Sequence, residues 1–442
     1  MEFEVPPIDI SIMAQNGTGL SEAGLAMKDI MPYTVQDMIF SLRCHFYLWT
    51  PRETMFKTLA EVPNMFTRVI SYMPFLVVFE IIGLLARGKE LPRWNHSLMS
   101  VCTAILLFLS STILGNIEFT WFSMIHDKYR IMDLPWNSVS AWIVCFFACD
   151  LGSYLWHRAA HEVNFVWAFH SVHHTSDEIN IMAGYRLPTF NRQIAIIFEG
   201  PDWMGKVIIT PRLHRVHHAR NRYCIDKNYG AVLSIWDYLL GTFTPFREDI
   251  PLSFGLVSRI TSFDPIAIQF TYMKSIAMRA ASYDNWTDRI YCFIKGPGWE
   301  PGKPRLGVYE EIPQIYDDKP YDKQSPSWCY AYLTWTLGLA IILFGTIPQA
   351  KKVLESGEWF FIVVYLFWTV SNSGYFLEQK PWVTMSEVVR CGCFFLLERM
   401  IAPMLAFYPL LWTALRYTSI LSLVLWSFKI NMFCPKDDIK ID

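Results

Sequence analysis

The sequence predicts an all-α, polytopic membrane protein with a cytosol-facing, histidine-rich di-metal cap and a C-terminal transmembrane bundle. Three observations predict it: long apolar runs, a lean share of charge, and eight of eleven histidines gathered into three clusters. Only 18% of the 442 residues are charged, against the roughly 25% of an ordinary soluble domain. The deficit is concentrated. Val69–Ala86, Leu98–Phe122 and Trp136–Trp156 approach or exceed the roughly 20 apolar residues that cross a bilayer as a helix, as do Trp328–Pro348 and Trp359–Leu377. The long run Val389–Phe428 contains Glu398, Arg399 and Arg416 and is expected to split in two.

In chain order, residues 1–68 form a mixed N-terminal region with a glycine-rich patch at Asn16–Gly24. Met1-Glu2-Phe3-Glu4 lacks the basic start and apolar core of a cleavable signal peptide, so the first span is expected to act as an uncleaved anchor. Residues 69–156 are the N-terminal membrane helices, 157–324 the histidine-rich metal-binding region, and 325–442 the C-terminal membrane helices. The middle region is basic around its histidines (Arg158, Arg186, Arg192, Lys206, Arg212, Arg215, Arg220, Arg222, Lys227) and follows three spans, which places it in the cytosol by the positive-inside rule. It ends in Gly296-Pro-Gly-Trp-Glu-Pro-Gly-Lys-Pro304, an extended surface segment. Ten cysteines without a CxxC pair read as reduced thiols, and a net charge of −2 without a basic tract gives no sign of a nucleic-acid partner.

The chemistry lies in His157-Arg-Ala-Ala-His161, His170-Ser-Val-His173-His174 and His214-Arg-Val-His217-His218. Residues three and four apart share a helix face, so each cluster aims its imidazoles at one place. Neutral imidazole suits iron, zinc, copper or nickel. Eight imidazoles exceed what one ion can use, which argues for two metals. Solvated or hydrogen-bonded histidines without metal are the bland alternative, and three clusters within 62 residues weigh against it. Asp150, Tyr154, His157 and His161 form one helical stripe; the carboxylate of Asp150, in an apolar setting, needs a partner, either a ligating histidine's ring N–H or Arg158. Glu162 is the candidate catalytic carboxylate, as ligand, base or cofactor contact, with an ordinary solvated charge as the alternative. Asp226 and Asp237 are candidates to orient the third cluster, and Arg220, Arg222 and Lys227 to neutralise an anion. No bridging carboxylate lies within a cluster except Glu162, so oxygen chemistry on a lipid is preferred over two-zinc hydrolysis.

These clusters, in this order beside membrane spans, resemble the fatty-acid hydroxylase and sterol desaturase superfamily of integral-membrane di-metal oxygenases. The likeness rests on Asp150-Leu-Gly-Ser-Tyr-Leu-Trp-His157 through Glu162, on His170 through Asn180, and on His214 through Asp226-Lys-Asn-Tyr-Gly230. It extends to Trp236-Asp237, Gly241-Thr-Phe243 and Lys295 through Gly307, and is nearest to members that cleave ether lipids. The resemblance implies an endoplasmic reticulum membrane enzyme with two iron ions, using O2 and tetrahydrobiopterin to hydroxylate an alkylglycerol beside its ether oxygen. A sterol or fatty-acid hydroxylase or desaturase fed by cytochrome b5, or a catalytically impaired form that binds only lipid or metal, are the alternatives. One departure stands out. The superfamily carries a longer stretch between the second and third clusters, with membrane-embedded helices and a further ligating histidine. Here 39 residues separate His174 from His214, none of them histidine, and their longest apolar run is Ile194–Phe198. An incomplete second metal site and weak turnover are the expected consequences.

Overall fold

The computed structural model describes residues 39, 43, 73–183, 202–316, 319–354, 357–404 and 407–429. Among the described residues the regular elements are helices, and extended pairing is confined to two isolated bridges, Ile208–Leu233 and Ala219–Phe254. The N-terminal part holds α1 (Met73–Ala86), α2 (Trp94–Tyr129) and α3 (Val139–Glu162). The polar middle holds α4 (Asn164–His170), α5 (Pro211–His218), α6 (Ile235–Leu239), α7 (Pro265–Ala281) and α8 (Trp286–Ile294). The C-terminal part is α9 (Ser327–Gly345), α10 (Ile347–Val353), α11 (Trp359–Leu377), α12 (Val383–Met400) and α13 (Pro409–Phe428).

Among the described residues five segments are long and apolar enough to cross a membrane: Trp94–Leu114 of α2, and α3, α9, α11 and α13. The protein is therefore multi-pass. Two expected spans come out differently. The first is described only as α1, whose 14 residues rise about 21 Å, short of a bilayer's roughly 30 Å of hydrocarbon; residues 69–72 lie outside the described residues. The run Val389–Phe428 does split, where Pro403 and Pro409 interrupt helical hydrogen bonding, but only α13 is apolar enough to span. Its partner α12 carries Glu387, Arg390, Glu398 and Arg399.

Sequence chemistry sets several of the helix starts around the polar middle. The side chains of Ser138, Thr210, Asp264 and Asn285 accept hydrogen bonds from backbone N–H groups at the starts of α3, α5, α7 and α8. Pro211 and Pro265 occupy the first helical positions, where a missing N–H costs nothing. The main core joins α2 to the C-terminal helices through buried Met99, Cys102, Leu333, Leu366, Phe394 and Trp426. α3 instead turns Trp142, Ile143, Phe146 and Phe147 outward, as a helix bathed in lipid does.

The C-terminal bundle encloses an ion pair. Arg390 Nε donates to Glu387 Oε2 at 2.9 Å, and Nη1 donates to the Tyr365 hydroxyl at 2.6 Å and to Thr369 Oγ1 at 3.1 Å. Asn372 Nδ2 donates to Glu387 Oε2 at 2.9 Å. Removing one partner of such a pair strands a buried charge and costs about 3–5 kcal/mol, whereas replacing both by apolar groups is often neutral. Arg390→Met is therefore expected to lower the unfolding midpoint in detergent sharply, and the double variant Glu387→Leu/Arg390→Met to recover most of the loss. A double variant no better than the single one contradicts this account.

Candidate metal centre

Four short pieces of chain bring the histidines together. The last turns of α3 present His157 and His161. After the single linking residue Val163, α4 ends on His170, and the 3-10 turn His173–Thr175 supplies His173 and His174. α5 brings His214, His217 and His218 from across the gap in sequence. Ligand-type nitrogens of His157, His161, His170, His174 and His217 lie within 4.8 Å of one another, and those of His173, His174 and His218 form a second such group. His174 belongs to both. His214 lies outside the two groups but has its Nε2 3.0 Å from Nε2 of His218.

Which nitrogen faces inward is set by backbone carbonyls. His157 Nδ1 donates to the Tyr229 carbonyl and His217 Nδ1 to the Lys227 carbonyl, both at 2.9 Å. A carbonyl oxygen only accepts, so Nδ1 carries the proton and Nε2 the lone pair. The turn that delivers these carbonyls has Asp226 and Asn228 at φ 57°, a left-handed conformation that Asp and Asn tolerate better than most residues. Asn228 locks it by donating to the carbonyls of Leu213 at 3.3 Å and Thr244 at 2.8 Å. Gly230 completes it, since a Cβ there would meet the Leu233 carbonyl at 2.5 Å and Asp237 Oδ2 at 2.8 Å.

The donor set fits a metal. Buried ring nitrogens of His161 (Nε2), His170 (Nε2), His173 (Nδ1) and His174 (Nε2) have no hydrogen-bond partner among the described residues. Each such atom costs about 1–3 kcal/mol if left unsatisfied. Burial pushes His170 down to about 4 and holds His173 and His174 well below the usual imidazole range, with His218 adding repulsion to both. These rings are therefore neutral at physiological pH, the form that ligates metal. Aromatic walls close the site: Trp167 lies 4.8 Å from His161 and 5.3 Å from His174, and Tyr229 5.1 Å from His161, between ring centroids.

The carboxylates divide. Asp226 Oδ1 lies 3.5 Å from His161 Nδ1, beside the ring as a ligand-orienting group would be. Asp150 meets neither a histidine ring nor Arg158. It accepts from the N–H groups of Val232 at 2.8 Å and Leu233 at 3.1 Å and from Trp236 Nε1 at 2.9 Å, and so ties α3 to the chain just beyond the 226–230 turn. Asp237 accepts from the N–H groups of Tyr229 and Gly230, both at 2.8 Å. Glu162 is in neither nitrogen-lined group; Arg158 Nε donates to it at 2.7 Å and Arg305 Nη1 at 2.8 Å. Arg220 and Arg222 donate to the carbonyls of Leu256 and Ile312, bracing the cap.

Sequence reasoning missed Arg305, Trp167 and the two carbonyls. The carbonyls have no side-chain signature, and Arg305 reaches Glu162 across 143 residues of chain. Asp150→Asn is expected to loosen the turn that orients His157 and His217 and to weaken metal binding about 10–100-fold, as loss of outer support does. Metal retention during dialysis against a chelator measures this, and retention equal to the parent chain contradicts it.

Spans, cap and converging imidazoles together define a membrane enzyme of the fatty acid hydroxylase class, and the fatty acid hydroxylase family matches residues 142–199 and 196–242. Residues 328–414 match the alkylglycerol monooxygenase C-terminal domain. The alkylglycerol monooxygenase of Homo sapiens is 32% identical over 404 residues, covering 83% of this chain and 90% of that protein. That of Danio rerio is 29% identical over 426 residues, covering 88% and 94%. This chain belongs to the alkylglycerol monooxygenase family and is a monooxygenase-type oxidoreductase acting on lipid. No solved structure matches it. Eighty-three per cent of 442 residues is about 367, so about 37 of the 404 aligned positions have no residue in this chain. The Danio rerio alignment gives the same figure: 88% is about 389 residues, again about 37 short of 426. The two fatty acid hydroxylase matches meet at residues 196–199, inside the interval between the second and third clusters.

Proposed function

We propose that this chain hydroxylates the carbon next to the ether oxygen of an alkylglycerol, using O2, tetrahydrobiopterin and two iron ions. One oxygen atom enters the C–H bond, the other leaves as water with two electrons and two protons from the pterin. The hemiacetal then opens to a fatty aldehyde and a glycerol derivative. The observation that carries this reading is the convergence of His157, His161, His170, His173, His174, His217 and His218 in two groups sharing one imidazole, with His214 against His218. Bound there, iron would supply the oxidising power. The names of the relatives support the substrate class.

In this reading the chain's own residues hold and orient. Asp226 aligns His161, and the Lys227 and Tyr229 carbonyls hold His217 and His157. Glu162, clamped between two guanidinium groups beside the centre, is the catalytic carboxylate in the sense of a fixed contact for cofactor or substrate. The site is assigned to the cytosolic side of the endoplasmic reticulum membrane, in keeping with the basic residues around the histidines. The test is metal counting on the purified chain together with aldehyde release. Iron should be bound and turnover should require tetrahydrobiopterin. Turnover with cytochrome b5 and no pterin would replace this reading with a sterol or fatty-acid hydroxylase or desaturase.

A further inference from the structure

α4 and α8 carry an apolar strip on the outside of the cap. Val163 alone separates the end of the membrane helix α3 from the start of α4. Near that end Trp156 is 64% exposed, and just beyond it Phe165 and Phe169, four residues apart, are 48% and 59% exposed. α8 adds Trp286, Ile290 and Ile294, spaced by four and exposed by 73%, 55% and 50%. The opposite faces of both helices are buried, Ala168 and Cys292 sharing a core with Trp299. Asn164 fastens the two helices: its N–H donates to the Lys295 carbonyl at 2.8 Å and its Nδ2 to the Cys292 carbonyl at 2.7 Å.

We propose that this α4–α8 strip is seated in the headgroup–acyl boundary of the bilayer that α3 crosses, so that its partner is a lipid surface. Continuity decides the occupant: the strip starts where an uncovered membrane helix leaves the hydrocarbon, and within α4 and within α8 its apolar residues recur every four positions. Its composition agrees. Tryptophan and large aliphatic side chains on one face, with cations at the edge, are what interfacial helices present. Here Arg289 lies over the Trp286 ring at 4.9 Å and Lys295 over the Tyr291 ring at 4.0 Å. The seating bears on the site because α4 also carries Trp167 and His170 toward the metal centre. The depth of α4 thus sets the centre's height at the level where a lipid's polar and apolar parts meet. This inference stands on the surface and not on the ether-lipid reading.

The test uses the full chain in phosphatidylcholine–phosphatidylserine nanodiscs. A nitroxide is attached through an introduced ketone-bearing residue at 169, 290 or 294, with position 300 as the aqueous reference. Collisions with O2, which concentrates in lipid, are compared with those of a water-soluble nickel chelate. The expected result is an O2-to-nickel ratio several-fold higher at 169, 290 and 294 than at 300. Nickel accessibility equal to that at position 300 would overturn the proposal. Shielding from both agents would also overturn it, since it would place another protein surface there.

Discussion

His174→Ala is expected to strip metal from both groups at once and to abolish turnover. His174 is common to the five-nitrogen group and the three-nitrogen group, its Nε2 is buried without a hydrogen-bond partner, and its ring lies 4.9 Å from His217 and 4.4 Å from His218. Loss of a merely supporting contact already costs about 10–100-fold in metal affinity, and loss of a shared ligand should exceed that on each ion. His214→Ala is the informative comparison. His214 is outside both groups, so its removal should spare the first ion and weaken the second through His218. Metal content and aldehyde release measured on both variants decide the matter. Two irons retained by His174→Ala, or equal losses in the two variants, would break the assignment of His174 as the common ligand.

The second large effect is a gain. The first group gathers five imidazoles, whereas the second has His173 and His218 beside the shared His174. Relatives carry about 37 aligned positions that this chain lacks, and the superfamily resemblance puts a further histidine between the second and third clusters. Inserting such a segment with its histidine between residues 196 and 199 should tighten the second iron by about 10–100-fold, taking outer-support losses as the lower guide. It should raise turnover in step. A control insert with that histidine changed to alanine should restore length without restoring iron. If the 442-residue chain already turns over as fast as a full-length relative, the extra histidine is dispensable and the present eight suffice.

The histidine clusters were legible because their meaning is local. Spacings of three and four on a helix put His157 with His161 and His214 with His217 and His218 on common faces, whatever the rest of the chain does. Asp226 was half legible: it lies in the turn that follows the third cluster, but its carboxylate stands beside His161 of the first. Asp150 was half legible: its need for a partner followed from an apolar setting, but the partners are backbone N–H groups more than 80 residues away. Nothing in a backbone amide distinguishes Val232 from any other valine in advance.

Membrane character and helical class were thus determined by the sequence alone, because hydropathy and helical periodicity act over a few turns. Tertiary structure alone decided how the eight histidines are shared. It gathered seven of them into a group of five and a group of three with His174 common to both, left His214 outside against His218, and pinned Glu162 with Arg305 from 143 residues away. It also showed that α12 keeps Glu387 and Arg390 as a buried pair instead of spanning as apolar helix. The physical reason is the same throughout. Local forces choose a helix and its faces, but which faces meet depends on packing and on hydrogen bonds between residues that only the fold brings within reach.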